Sequence, residues 1–272
     1  MDKIELGDIN LLSLRKLQNQ GTLSTIYTDG ELCYKILDGL YRNEKQDLYK
    51  KFLDMAEINI DNVLLPKDLL VEDGLLKGYT MEYFGDSIPL SNKFSTRYFN
   101  CKDLFTYVNK ASKVLREIHN HGIICQDLSF ENILVNREGN IAFCDMDGCR
   151  YKGHNSPFIS VVLKEFLFDY RKSKIFVEED VDKISMILSL YLLMFDQVLQ
   201  KITRRQYRSL SNHIHTLENL KQCANMLVDR KCIIRDVPYL DEVIDLADDY
   251  EVDRKKILTL RQKILAKLPN RK

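Results

Sequence analysis

The chain has 272 residues, 45% of them hydrophobic and only 5 of them proline, which is apolar material enough for a full core and excludes a disordered protein. Lys plus Arg and Asp plus Glu both number 40, so no net field draws the chain to nucleic acid or to an acidic membrane. Its 7 cysteines are an odd number and no charged-then-apolar leader opens the sequence, so free thiols in a reducing, cytoplasmic setting are expected.

Residues 19–37 are rich in β-formers. Ser24-Thr25-Ile26-Tyr27 leads into Asp29-Gly30 and then Leu32-Cys33-Tyr34-Lys35-Ile36-Leu37, and an Asp-Gly pair between two such runs predicts a hairpin. From Arg42 to Glu57 the period changes, with Leu48, Phe52 and Met55 recurring at helical spacing. Asp68 to Phe84 predicts a second hairpin, turning at Asp73-Gly74 and ending in Tyr79-Thr80-Met81-Glu82-Tyr83-Phe84. A boundary between an N-terminal and a C-terminal part is expected near Gly85-Asp86. Beyond it, Leu104, Val108, Ala111, Leu115 and Ile118 form one helical stripe that stops at His121-Gly122.

The stretch from 119 to 148 carries the chemistry. Asp127 is followed by Asn132, and Asp145 lies beyond two short apolar runs, Ile133-Leu134-Val135 and Ile141-Ala142-Phe143. Arg137-Glu138-Gly139-Asn140 joins those runs as a hairpin connection. Closing that hairpin brings Asn132, before its first strand, to Asp145, after its second. Two oxygen ligands at one end of a small sheet suit Mg²⁺, a hard cation usually held by few protein groups plus phosphate. Asp127, on the loop before the hairpin, is left to face a substrate hydroxyl.

After this stretch, residues 149–179 have no strong period and include Gly153, Ser156 and Pro157. Asp182-Lys183-Ile184-Ser185 opens an apolar run to Phe195, which is too short to span a bilayer and predicts a buried helix with no membrane insertion. Asp182 itself reads as an N-cap or first-turn acid. From Ile202 onward the pattern is helical and charged. Arg204, Arg205 and Arg208 make a small solvated face, and His213 and His215, two apart, fall on different helix faces. Cys144 and Cys149 have no second pair to complete a zinc site.

Asp127 and Asn132 in this spacing, with Asp145 beyond the hairpin, resemble the catalytic loop and metal-binding triplet of the protein kinase family, whose patterns run H-R-D-x-x-x-x-N and D-F-G. Leu115 to Ile124 also looks like the end of the helix that precedes that loop. The resemblance implies an α+β, bilobal, protein kinase-like fold: a small N-terminal antiparallel β-sheet lobe with one helix over residues 1–85, and a larger, mainly helical C-terminal lobe over 86–272. It implies ATP and Mg²⁺ as cofactors. Lys35 becomes the phosphate-pairing lysine, and Gly21 the remnant of a Gly-rich loop over the phosphates. Glu44 becomes the helix acid that pairs with Lys35, with Asp47 and Asp54 open as substitutes. Met81 falls at the back of the nucleotide pocket, and Glu82, Tyr83 and Phe84 form the adenine-contacting segment. Asn132 and Asp145 hold the metal, Asp127 orients the attacking hydroxyl, and Asp182 resembles the acid that holds the catalytic loop from below.

Departures from the family pattern qualify these roles. Cys125 and Gln126 stand in place of the loop's His and Arg, so switching by activation-loop phosphorylation is not expected. Ser129 stands where Ser/Thr kinases commonly carry a Lys, and no A-P-E motif follows. The triplet reads Asp145-Met146-Asp147 before Gly148, which makes Asp147 either a second metal ligand or a turn residue. The expected activity is transfer of a γ-phosphoryl group to a hydroxyl, protein Ser or Thr first. A small-molecule hydroxyl acceptor is the alternative, a nucleotide-binding pseudokinase the second, and the oligomeric state stays open.

Overall fold

Both Asp-Gly turns fold as the sequence predicts. In a computed structural model, which describes residues 1–17, 24–38, 42–94, 101–154, 179–193, 237 and 239–243, the chain is α+β. Strands β1 (Lys3–Glu5), β2 (Arg15–Lys16), β3 (Ser24–Thr28), β4 (Leu32–Leu37), β5 (Leu69–Glu72) and β6 (Leu75–Glu82) form a six-stranded sheet in the order β1-β5-β6-β4-β3-β2. At the first turn Gly30 takes φ +104°, while the Asp29 carboxylate accepts from the amides of Glu31 and Leu32 at 2.9 and 2.8 Å. The sheet is mixed rather than purely antiparallel, because β1 joins β5 in parallel. Only one of its three residues is even half-buried, so the strand had no alternating apolar signal to betray it.

On β4 the side chains of Cys33, Lys35 and Leu37 are buried on one face, and their neighbours are less so. Pairing with β6 sets Lys35 opposite Tyr79 and Cys33 opposite Met81. The two strands pass very close here: a Cβ on Gly78 would lie 2.1 Å from the Lys35 carbonyl oxygen, so only glycine fits. Helix α1 (Arg42–Met55) buries Leu48, Phe52 and Met55, and the Phe52 ring meets Tyr79 edge-on at 5.0 Å. That is an ordinary aromatic packing geometry.

The remaining described elements are β7 (Ile88–Pro89), α2 (Leu90–Lys93), α3 (Cys101–Asn120), β8 (Ile133–Val135), β9 (Ile141–Phe143), α4 (Asp180–Leu192) and α5 (Leu240–Val243). The predicted 133–143 hairpin forms, and β7 adds to it as a third strand. Leu104, Val108, Ala111, Leu115 and Ile118 on α3 are at most 1% exposed, which makes the helical stripe the core of this half. Each large aliphatic so buried contributes roughly 1.5–3 kcal/mol. The chain between α1 and β5 then ties β9 to the rest: the Leu64 amide donates to the Phe143 carbonyl and the Phe143 amide to the Asn62 carbonyl, both at 2.8 Å. That pairing fixes where residues 144–149 emerge.

Among the described residues no helix is long and apolar enough to cross a membrane. Cys33, Cys125, Cys144 and Cys149 are free thiols. The expectations for Gly21, for residues 155–178, and for the basic and histidine pairs between 204 and 215 lie outside the described residues.

Candidate functional site

Two loops meet below the sheet. The first follows α3, which stops where Gly122 takes φ +73°. Ile124 then bridges to Arg150, exchanging hydrogen bonds of 3.0 and 2.7 Å. The amides of Cys125 and Gln126 donate to the two oxygens of Asp182, at 2.7 and 2.8 Å. Asp182 is fully buried and also lies 3.0 Å from Nε2 of His119, whose Nδ1 is 2.8 Å from the Tyr239 hydroxyl. Both sequence readings of Asp182 hold in part: it lies in the first turn of α4 without capping it, and its carboxylate binds the loop's backbone. Farther along, the Asn132 side-chain amide donates to the Asp127 carbonyl at 2.7 Å, so Asp127 and Asn132 are braced against each other. Ser129 caps the short 3-10 turn Phe130–Asn132 by accepting from the Glu131 amide.

The second loop leaves β9. The Cys144 amide donates to the Asn132 carbonyl at 3.0 Å, which joins the two loops. Asp145 adopts φ +60° and ψ 36°, the left-handed region that a non-glycine residue rarely occupies. Its Oδ1 accepts from Lys35 Nζ at 2.8 Å. Asp147 Oδ1 accepts from the same ammonium at 2.8 Å and from the Tyr79 hydroxyl at 3.0 Å. Lys51, from α1, donates to the carbonyls of Asp147 and Cys149 at 2.6 and 2.7 Å.

This cluster is charged and, apart from the half-exposed Asp145, buried. Burial alone would push the Lys35 ammonium down, but the Asp147 carboxylate foremost, with Tyr79 and Asp145, holds its pKa well above the usual lysine value. Burial likewise works to raise Asp147, and Lys35 overrides it and keeps the carboxyl below the usual range. Lys51 donates to backbone carbonyls, and desolvation lowers its pKa against the smaller opposing pull of Cys149 and Asp147. The Tyr79 phenol is pushed well up, first by burial and then by Asp147.

A cleft of about 1010 Å³ opens next to the cluster. Ile26, Cys33 and Met81 from the sheet line it together with Leu134 and Cys144 from the hairpin and with Tyr83 and Phe84, and Asn132 and Asp145 line it where it meets Lys35. Its lining mixes these apolar side chains with charged ones, among them Arg15, Lys16, Asp86, Lys93 and Arg137, and a concave site of apolar walls and placed polar groups suits a small charged ligand.

No protein-family model matches the chain, and no curated protein matches it.

The structure therefore brings Lys35, Asp145 and Asn132 together and sets Met81, Tyr83 and Phe84 on the cleft wall. It corrects two expectations. Glu82 is exposed at the end of β6, opposite Leu32, and is not part of the wall. The ion pairs of Lys35 run to Asp145 and Asp147 and not to Glu44, which is half-buried in the first turn of α1. Neither substitute replaces it, since Asp47 is exposed and Asp54 pairs with His154 at 2.5 Å. Asp147 does lie in a turn, the 3-10 turn Met146–Gly148, and is buried there as a partner of Lys35 and Tyr79.

Sequence reasoning passed over Lys51 and Tyr79. A signal for Lys51 was there: position 51 falls on the apolar stripe of Leu48, Phe52 and Met55, where a lysine has to be explained. Tyr79 had none until the β4–β6 register set it across from Lys35.

The donor set fits Mg²⁺ bound to phosphates. Asn132 spends its amide nitrogen on Asp127, which turns its carbonyl oxygen into the group it can offer, and Asp145 presents a half-exposed carboxylate to the same cleft end. Among the described residues no three His, Cys, Asp or Glu side chains form a metal cage. One or two protein oxygens completed by phosphate and water is the manner in which Mg²⁺ is usually held.

Proposed function

We propose that the chain is an ATP- and Mg²⁺-dependent phosphotransferase of bilobal, protein kinase-like fold, with its smaller lobe over residues 1–85 and its larger over 86–272. It transfers the γ-phosphoryl group to a hydroxyl, preferentially of protein Ser or Thr. The observation that carries this reading is that one hairpin sets Asn132 and Asp145 on the same cleft, where Asp145 bonds the buried Lys35 of the sheet, with the Asp127 backbone braced against Asn132. A bound Mg²⁺ would be held by Asn132 and Asp145 and would neutralise phosphate charge. Lys35 would hold the phosphates, and the cleft wall of Met81, Tyr83 and Phe84 would take the base. Asp127 would orient the acceptor hydroxyl and take its proton as the oxygen bonds phosphorus and the bond to the leaving ADP oxygen breaks. Positioning and fixed charge supply the catalysis in such a scheme, which matches a site whose polar groups are already locked.

The test is incubation with γ-labelled ATP and Mg²⁺, with a generic protein acceptor and, separately, with a pool of metabolites. Label on protein is the expected result. Label on a metabolite alone makes the chain a small-molecule kinase, and no transfer despite ATP binding makes it a nucleotide-binding module. In the active case, Asp127→Ala lowers transfer on the order of 10²-fold while ATP affinity, read by calorimetry, stays within a factor of about two.

A further inference from the structure

We propose that Asp147 is the fixed positioning carboxylate of Lys35, and that Lys51 anchors the loop that carries it. This rests on the phosphotransferase reading and assigns a role to two residues that reading leaves idle.

The two carboxylates on Lys35 are not equivalent. The Asp145 side chain is 43% exposed and borders the cleft, whereas that of Asp147 is 10% exposed and lies behind it. Lys35 itself is 5% exposed, too deep to keep its charge without a constant partner. A residue that binds a metal in the cleft must be able to turn toward it, and Asp145 has the position for that. Asp147 does not: one oxygen accepts from both Lys35 and Tyr79. When Asp145 is drawn to a cation, Lys35 therefore keeps one buried carboxylate, and its ammonium stays in place.

Asp147 needs holding in turn, because it sits in a single 3-10 turn just after a left-handed residue. Lys51 does this from α1. Lys51 is only 2% exposed, and its ammonium bonds the carbonyls on either side of Gly148, those of Asp147 and Cys149. The helix thus contributes a cation that grips the loop, and the loop contributes the acid that grips Lys35. Asp147 and Lys51 touch no substrate in this scheme; both act through Lys35.

The experiment has two arms. In the first, binding of a fluorescent ATP analogue is titrated with and without Mg²⁺ for the wild type, Asp147→Asn and Lys51→Met. The expected result is a loss of affinity of about 10-fold or more for Asp147→Asn both with and without Mg²⁺, with an unchanged Mg²⁺ half-saturation. Lys51→Met weakens affinity in the same direction and Lys51→Arg restores it. A raised Mg²⁺ half-saturation with normal metal-free affinity would make Asp147 a metal ligand and overturn the proposal. Unchanged affinity in every variant overturns it as well. The second arm needs no nucleotide: the thermal midpoints of Lys35→Met, Asp147→Leu and the double variant are compared. The double variant should lose no more than the worse single one, because removing both charges leaves neither unpaired. Additive losses overturn the pairing. Replacing Asp147→Leu by Glu44→Gln in this cycle should give additivity. A wild-type protein that binds no nucleotide defeats the phosphotransferase reading and the positioning role with it, while the stability cycle still judges the Lys35–Asp147 pair.

Discussion

The loops at 123–132 and 144–149 solve the same problem with opposite charges. Each leaves a core element, contains a non-glycine residue with positive φ (Gln126 at +58°, Asp145 at +60°), and exposes backbone groups to the interior. In the first loop the stranded groups are amides, and a buried carboxylate, Asp182, accepts from two of them. In the second they are carbonyls, and a buried ammonium, Lys51, donates to two of them. The sign of the anchor follows from which backbone group is left over, because a buried polar group without a partner costs more than the bond that satisfies it returns. The difference has a consequence. An amide has one proton to give, while a carbonyl has two lone pairs and tolerates under-satisfaction better. The carboxylate anchor should therefore be the harder one to lose.

Removing it is the strongest test. Asp182→Ala leaves the Cys125 and Gln126 amides and His119 without their acceptor in a site closed to water. The expected loss is on the order of 3 kcal/mol or more, and Asp182→Asn, which keeps one acceptor oxygen, loses less. Urea denaturation of both variants measures it. A loss below that of the second anchor would break the comparison.

Lys51→Met is the matching experiment on the other loop. The thioether chain fills much of the same buried space and abandons two carbonyls that Lys51 bonds at 2.6 and 2.7 Å, so a smaller loss of about 1–2 kcal/mol is expected. Because desolvation already opposes the Lys51 charge, part of the lost bonding is offset by no longer burying it.

The smallest effect sharpens the comparison at the backbone itself. Gln126→Gly relieves a left-handed conformation in the first loop, worth about 1 kcal/mol, against a similar entropic cost in the unfolded chain. Stability within about 1 kcal/mol of wild type is expected, while Gln126→Val, β-branched at positive φ, should fall clearly below it. If both variants behave alike, the φ of this residue contributes nothing to holding the loop.

Much of the site is legible in the sequence. The Asp-Gly turns, the helical stripes and the 133–143 hairpin depend on neighbours within a few residues, and local chemistry was enough for them. That hairpin alone carries Asn132 and Asp145 to one end of a cleft. Glu44 failed for the opposite reason. Which residue of α1 meets Lys35 depends on how the helix lies on the sheet, and no pattern within the helix states that.

What the sequence determined by itself is the set of elements and the chemical character of Lys35, Asp127, Asn132 and Asp145, because strand period, helix period and turn residues are short-range properties. Only the tertiary structure decided the partners. Lys35 meets Asp147 across 112 positions of chain, Lys51 meets the Asp147 carbonyl across 96, and Asp182 meets the Gln126 amide across 56. Gly78 belongs with them, since its need for a bare Cα comes from the Lys35 carbonyl on another strand. Such pairs form where packing closes the interior to water, and there a lysine or an aspartate is tolerated only when the fold brings it an opposite charge or backbone hydrogen-bond partners.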